Sequence, residues 1–340
     1  MAAAARAGAR AVSAPADERA LLQRLAQGPV SGDALAREAG LTRAAVWKRI
    51  EALREAGLEI AAVPGRGYRL AQPLDLLDAG AIRAGLGAAA RAELAGLEVA
   101  WSLDSTNAAL LRQPPPAQGC AVLLAERQRA GRGRRGRPWV SPLAAHVYLS
   151  LGRRYDAGLA RLGGLSLAAG VAAAQALAAL AVPGVRLKWP NDLVVEAGGG
   201  LRKLGGILVE GGGEAAGQAH AVVGLGLNVR MPAAAAVAID QPWAELAALA
   251  PGLTRNRVVT ALLEALLPAL ARFDRDGLTA GLREAYARWD VLAGRPVQVL
   301  AGDGTWQGEA CGLAPDGALR VRLADGGERC LHAGEVSVRA

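Results

Sequence analysis

CAVLLAERQRAGRGRRGRPWVSPLAAHVYLSLG, residues 120–152, sets two apolar runs around the most basic segment of the chain. CAVLLAE (120–126) and HVYLSLG (146–152) read as buried strands, since each is short, aliphatic and bounded by turn formers. Between them AGRGRRGR, Ala130–Arg137, places four arginines and three glycines in the seven residues after Ala130. By composition alone this fits a nucleic-acid tail, a phosphate-holding loop or a solvated turn, because disordered Arg/Gly segments bind RNA and DNA. Suspended between strands, it suits one small anion better than a polymer. Glycine lets the backbone approach a ligand closely, and guanidinium forks match carboxylate and phosphate oxygens.

Three further stretches complement that loop. LKWPND (187–192) puts a lysine, a tryptophan and an Asn-Asp pair at a strand end, where Asp192 is placed to order Mg²⁺ near phosphates. RKLGGILVE (202–210) carries Lys203 ahead of a glycine pair and an apolar run, and GLGLN (224–228) ends another strand with small residues that leave room for a flat ligand. With VRLKWP (185–190), KLGGILVEG (203–211) and HAVVGLGLNV (220–229) as strands, residues 98–289 form an α/β or α+β body. The uncharged run 162–182 is long enough to span a bilayer, but it holds nine Ala and only five Leu. Alanine contributes little to insertion, so a buried helix stopped by Pro183 is expected.

Upstream, SGDALAREAGLTRAAVWKRIEALREAGLEI (31–60) has the punctuation of two short helices. Ser31 caps the first, Gly40 turns the chain, Thr42 caps the second, and Val46, Ile50 and Leu53 recur at helical spacing before Gly57. This is a helix-turn-helix. Thr42, Arg43, Ala44, Trp47, Lys48 and Arg49 lie on or near the outer side of its second helix, a mix suited to phosphates and base edges. VPGRGYRL (63–70) then reads as a hairpin wing with Arg66 at its tip. After residue 294, short alternating strands separated by GDG, APDG and ADGG predict a small β-barrel.

The chain has 340 residues and a net charge of +8, pointing to acidic partners, nucleic acid or phosphorylated ligands. Cys120, Cys311 and Cys330 make neither a metal pattern nor a disulfide framework, and a reducing, cytoplasmic compartment is expected. Residues 1–16 are Ala/Arg-rich without acids, and read as a disordered extension rather than a transit peptide.

Together DSTN (104–107), ERQRAGRGRRGRPW (126–139), KWPND (188–192), RKLGGILVE (202–210) and GLGLN (224–228) resemble the bifunctional biotin–protein ligases that also repress the biotin operon, and the resemblance covers nearly the whole chain. It implies an α+β multidomain fold: a winged helix-turn-helix over 17–72, a catalytic α/β domain over 73–291 related to class II synthetase and lipoate ligase folds, and an SH3-like β-barrel over 292–340. It also implies a reaction. Biotin and ATP give biotinyl-5′-AMP, and biotin passes to a lysine of a biotin carboxyl carrier domain of acetyl-CoA carboxylase or a similar enzyme. The adenylate then serves as corepressor for a homodimer on operator DNA.

Carried over residue by residue, Ser105, Thr106, Asn107, Gln128, Gly131, Arg132, Gly133, Arg134, Lys203, Gly206 and Gly224 would bind biotin. Arg134, Arg137, Trp139, Lys188, Asn191, Asp192, Asn228 and Trp243 would bind ATP, with Arg134, Lys203 and Asp192 catalytic and Mg²⁺ accompanying the nucleotide. The chain departs from the pattern in its 1–16 extension, in the added AGGG (197–200), and in Gly205 where alanine is common. Three alternatives stand beside this one. They are a biotin sensor with weak ligase activity, a ligase whose winged helix no longer represses, and a lipoate-type acyltransferase.

Overall fold

Two hydroxyls organise the N-terminal unit of the computed structural model, which describes residues 16–156, 158, 162–213, 218–301, 304–332 and 337–339. Ser31 Oγ accepts from Ala34 N–H at 3.1 Å and Thr42 Oγ1 from Ala45 N–H at 3.2 Å. Each satisfies a donor that has no partner inside its helix. They start α2 (Gly32–Ala39) and α3 (Arg43–Glu55), which follow α1 (Ala16–Ala26). Gly40, at φ 63°, makes the left-handed turn between them. β1 (Ile60–Val63) and β2 (Gly67–Leu70) pair antiparallel as the expected wing. Reciprocal bonds between Val30 and Tyr68 strap it to the turn before α2. The extension expected over residues 1–16 lies outside the described residues, save Ala16, which opens α1.

The central sheet runs β3-β4-β5-β9-β8-β7-β6. Its strands are β3 (Leu94–Leu103), β4 (Cys120–Gln128), β5 (Val147–Tyr155), β6 (Val185–Lys188), β7 (Asp192–Ala197), β8 (Gly200–Gly213) and β9 (Ala219–Leu227). Only β3 and β4 run parallel; every other pairing is antiparallel. Alternation sorts β4 to two faces. Val122 and Leu124 join the main core with α4 (Ala79–Gly85), α5 (Ala88–Ala92), α7 (Leu165–Ala179) and α10 (Arg255–Asp276), whereas Leu123 and Ala125 pack with α6 (Thr106–Leu111). The short α8 (Ala233–Ala236) and α9 (Leu246–Leu249) follow β9, and α11 (Ala280–Ala287) follows α10.

α7 is the alanine helix, buried along most of its length, and no helix among the described residues is long and apolar enough to cross a membrane. It ends at Ala179, before Pro183, where Ala181 turns left-handed at φ 57°. α10 continues unbroken through Pro268, a residue that ordinarily kinks or ends a helix. β3 and β7 were not among the expected strands. β3 is an edge strand of mixed polarity, and β7 is the return leg of a tight hairpin.

As the short alternating strands predict, the C-terminal segment forms a small all-β unit, a five-stranded antiparallel sheet. Its strands β10 (Pro296–Ala301), β11 (Gly304–Leu313), β12 (Leu319–Arg322), β13 (Glu328–Leu331) and β14 (Ser337–Arg339) are ordered β13-β12-β11-β10-β14. Its Val297, Val299, Leu319 and Val321 belong to the same buried cluster as the central sheet. Trp189 Nε1 donates to Gly317 O at 3.1 Å, pinning this sheet against the turn that follows β6. The N-terminal unit is joined as directly. Trp101 of β3 and Leu143 complete the core of the winged helix, and Leu143 N–H donates to Ala56 O at 2.7 Å.

Candidate functional site

The glycines of β8 and β9 form a floor on which the separate motifs meet. In register, Gly206 faces Asp192 on β7 and Gly226 on β9, while Gly224 faces Ser150 on β5 and Leu208 on β8. A methyl on Gly224 would overlap Asn107 Oδ1, and one on Gly226 would lie 2.5 Å from Trp139 Cε2. Each glycine is therefore covered by a side chain no larger residue would admit. Asn107 and Trp139 mark two halves of one surface.

The first half is neutral. Thr106 N–H donates to Gln128 Oε1 at 2.8 Å, and Thr106 Oγ1 lies 3.1 Å from the same oxygen. Ser150 Oγ sits 2.7 Å from Thr106 Oγ1 and 2.6 Å from Asn107 Oδ1. Asn107 Nδ2 donates to Leu208 O at 3.2 Å and to Glu210 Oε2 at 2.9 Å. Ser105 Oγ caps α6 by accepting from Ala108 N–H. Asp104 is held by Arg112 at 2.6 Å, a bond that keeps its carboxyl at about 2. Its carbonyl accepts from Ala130 N–H, anchoring the root of the basic loop. Thr106, Asn107, Gln128 and Ser150 thus offer paired donors and acceptors without net charge, the requirement of a ureido-like group.

The second half is cationic. The loop turns on Arg135 at φ 57° and Gly136 at φ 71°, closed by Gly133 N–H on Arg137 O at 2.7 Å and Trp139 N–H on Gly131 O at 2.8 Å. A left-handed arginine is strained. Arg134 Nη1 donates to Asn191 Oδ1 at 3.1 Å, and burial pulls its guanidinium below the ordinary arginine range. Lys203 Nζ lies 2.8 Å from Asp192 Oδ1 and 5.6 Å from the centre of the Trp139 ring. The Trp139 indole nitrogen is buried with no hydrogen-bond acceptor among the described protein atoms. Arg134 and Lys203 converge on the KWPND turn and can neutralise a phosphate and a carboxylate brought together.

The remaining expected residues take several positions. Gly131 is buried against Gln128, Ser141 and Trp139, Arg137 is exposed, and Lys188 closes β6. Asn228 Nδ2 bonds Lys203 O and Ala244 O, and Trp243 bridges Lys203 through the backbone, so both sit behind the lysine as its support. Arg132 Nη2 donates to Glu210 Oε1 at 2.9 Å. Sequence reasoning passed over Glu210 and Ser150. Their signal was periodicity, because both occupy strand positions that face α6 rather than the helical core.

On the winged helix, Arg43, Ala44, Trp47 and Lys48 are exposed along α3, Trp47 to 53%, with Thr42 at its cap and Arg49 half-buried. Arg66 is exposed at the wing tip.

Residues 18–69 match an HTH domain family, residues 99–228 the Biotin/lipoate A/B protein ligase family, and residues 293–339 the Biotin protein ligase C terminal domain. The chain is 38% identical over 313 residues to the bifunctional ligase/repressor BirA of Escherichia coli K12, covering 91% of this chain and 93% of that one. It is 35% identical over 240 residues to the biotin–[acetyl-CoA-carboxylase] ligase of Paracoccus denitrificans, covering 68% of this chain and 96% of the relative. The biotin protein ligase of Aquifex aeolicus, solved in complex with biotin and ATP, shares the fold with a TM-score of 0.57 at 24% identity, over 72% of this chain and 99% of its own. The chain belongs to the family of bifunctional biotin protein ligase/repressors.

Proposed function

We propose that the chain joins biotin to ATP and then to a carrier lysine, and that the same site, once filled, governs DNA binding by the winged helix. One observation carries the reading. A neutral cradle of Thr106, Asn107 and Gln128 shares a glycine floor with the cations Arg134 and Lys203. Biotin has both complements, a ureido ring and a carboxylate. A carboxylate oxygen attacks the α-phosphorus of ATP, the bond to the β-phosphate oxygen breaks, and pyrophosphate leaves. The carrier's lysine amine then attacks the acyl carbon, AMP leaves, and the amine loses a proton. Two anions must meet in the first step, so Arg134 and Lys203 lower its barrier by countering charge that builds at phosphorus. Trp139 supplies a flat face beside the nucleotide, and Asn191 orients Arg134.

No group of three or more His, Cys, Asp or Glu side chains capable of holding a metal exists among the described residues. Asp192, paired with Lys203, is the acidic group at the phosphate end. That donor set suits Mg²⁺ carried mainly by ATP oxygens and water with Asp192 as its protein ligand, where it would screen phosphate charge. The complete set Arg134, Asp192 and Lys203 favours an active ligase over a biotin sensor. The neutral cradle and C-terminal sheet favour biotin over lipoate.

The decisive experiment incubates the chain with biotin, Mg-ATP and a biotin carboxyl carrier domain, then weighs the acceptor. A gain of one biotinyl group is expected, and an unmodified acceptor refutes the ligase. For the DNA function, Arg43, Trp47, Lys48 and Arg66 supply the contacts, and two copies are needed to read a two-fold operator. A biotin-dependent mobility shift on the chain's own biotin-operon promoter tests it. The proposed division of labour is 17–72 for DNA, 73–291 for chemistry and 292–340 for support of the KWPND turn. Three unpaired cysteines and a demand for ATP support a cytoplasmic reading.

A further inference from the structure

Glu210 lies on β8 with each carboxylate oxygen committed to a different part of the site. Oε2 accepts from Asn107 Nδ2 at 2.9 Å, and Oε1 accepts from Arg132 Nη2 at 2.9 Å. A carboxylate accepts and cannot donate. Asn107 therefore turns both amide hydrogens toward β8, one on Glu210 and one on the Leu208 carbonyl at 3.2 Å. Its Oδ1 faces the other way, 2.6 Å from Ser150 Oγ and directly over Gly224. The amide could otherwise point either end at the floor. Glu210, together with the Leu208 carbonyl, decides that it presents an acceptor there.

We propose that Glu210 is a positioning residue for ligand recognition. It fixes the polarity of the ureido cradle through Asn107, and the same carboxylate docks the basic loop through Arg132. The inference deepens the biotin reading and rests on it. Ureido N–H groups need acceptors, so an Asn107 turned the wrong way would set donor against donor. Glu210 touches no reacting atom, and its side chain is only 24% exposed, behind Asn107 and Arg132. Its loss acts on affinity and on the loop around Arg132, while Arg134 keeps its separate bond to Asn191 for the chemical step.

Two variants separate the duties. In Glu210→Gln one oxygen and one NH₂ group remain, so Asn107 and Arg132 cannot both be satisfied. In Glu210→Ala neither is. Both variants are expected to raise the dissociation constant for biotin tenfold or more while kcat at saturating biotin and ATP stays within about threefold of wild type. Trypsin should cleave the ligand-free loop after Arg132, Arg134 and Arg135 several-fold faster in each. Wild type should strongly disfavour a cyclic carbamate analogue, in which a ureido N–H is replaced by oxygen, and Glu210→Ala should narrow that preference.

Wild-type biotin affinity and wild-type tryptic rates in both variants would overturn the proposal. So would equal losses in kcat and affinity with a lowered melting temperature, the pattern of general damage. If wild type itself bound no biotin, the biotin reading would fall. The tryptic comparison, made without ligand, would still report whether Glu210 holds the loop.

Discussion

Gly224→Ala puts the geometry of the cradle to a quantitative test. A glycine inside a strand ordinarily costs stability, and replacing it by alanine gains roughly 0.5–1 kcal/mol. At this position the sign reverses. The added methyl overlaps Asn107 Oδ1 and comes within 2.8 Å of Asn107 Cγ and 2.9 Å of Nδ2, where ordinary contact begins near 3.4 Å. Asn107 cannot retreat while it bonds Leu208, Glu210 and Ser150. Either β9 shifts, an overpacking cost of about 1–3 kcal/mol, or Asn107 rotates away and forfeits bonds worth about 0.5–1.5 kcal/mol each. After the glycine offset, a net loss of about 2 kcal/mol is expected, or roughly 4–8 °C in Tm for a domain of this size.

On the proposed reading biotin affinity should fall further, because the displaced amide is the acceptor offered to the ureido group. Thermal melting by circular dichroism and calorimetric titration with biotin read the two effects separately. Gly96→Ala on β3, where a methyl meets nothing within 4 Å, is the control and should melt at or slightly above wild type. A Gly224→Ala protein that melts and binds biotin as wild type does would refute the placement of Asn107 over the floor.

Three other outcomes are expected. Lys203→Ala should slow adenylate formation by roughly 10²–10³, the usual cost of removing one group aimed at developing charge, as measured by pyrophosphate release in single turnover; an unchanged rate would sever Lys203 from the chemistry. Lys48→Ala and Arg66→Ala should each weaken operator binding across sequences and reduce the salt slope by about one, and a slope equal to wild type would remove that residue from the phosphate contacts. His146 is fully buried, its imidazole pushed from 6.5 to about 3 by that burial. The unfolded chain takes up this proton below pH 6.5 and the folded chain does not, so stability falls from pH 6.5 toward 3 by up to ~1.4 kcal/mol per pH unit. His146→Gln keeps an acceptor for Val229 N–H. It should flatten that limb in urea titrations at pH 5, 6 and 7, and an unaltered slope would show that another group drives it.

Local rules made the winged helix legible, because caps, turns and helix spacing all fall within a few residues. Ser31, Gly40, Thr42 and Gly57 each act where punctuation placed them. The cradle was legible as motifs but not as a network. Asn107 and Glu210 stand 103 positions apart, and only the packing of α6 onto the central sheet brings them together. Asn228 shows the converse. Its motif placed it at the nucleotide, while its amide is spent on the backbone around Lys203. The joint between winged helix and sheet left no trace in periodicity either. Trp101 reads as an ordinary strand residue, yet its indole donates to Glu18 Oε2 at 2.9 Å and its ring packs into the winged-helix core.

Arginine is spread along the whole chain, so its abundance says nothing about which guanidinium binds a ligand. Accounting for each one's partners does. Arg255 is 1% exposed, and it bonds Glu126 Oε2 at 2.7 Å, His146 O at 3.0 Å and Asp75 O at 2.7 Å. Its charge is matched by the buried Glu126, whose other oxygen holds Leu77 N–H. Removing either member of such a pair strands the other, a cost of roughly 3–5 kcal/mol. Arg153 is likewise saturated by Glu93 at 2.7 Å and Asp274 at 3.2 Å. These arginines join strands to helices, and their charge is already matched by the carboxylates beside them. Arg134 differs in kind. Its hydrogen-bond partner is a neutral amide at 3.1 Å, and burial already disfavours its charge. A half-buried guanidinium without a bonded counter-ion gains most when an anion arrives, because the desolvation cost was met when the chain folded. Lys203 keeps Asp192, so an anion reaching it must displace that internal partner, while Arg132 stays committed to Glu210 as the tie of the loop. Of the three cations, Arg134 is the one with no bonded carboxylate to offset an incoming anion.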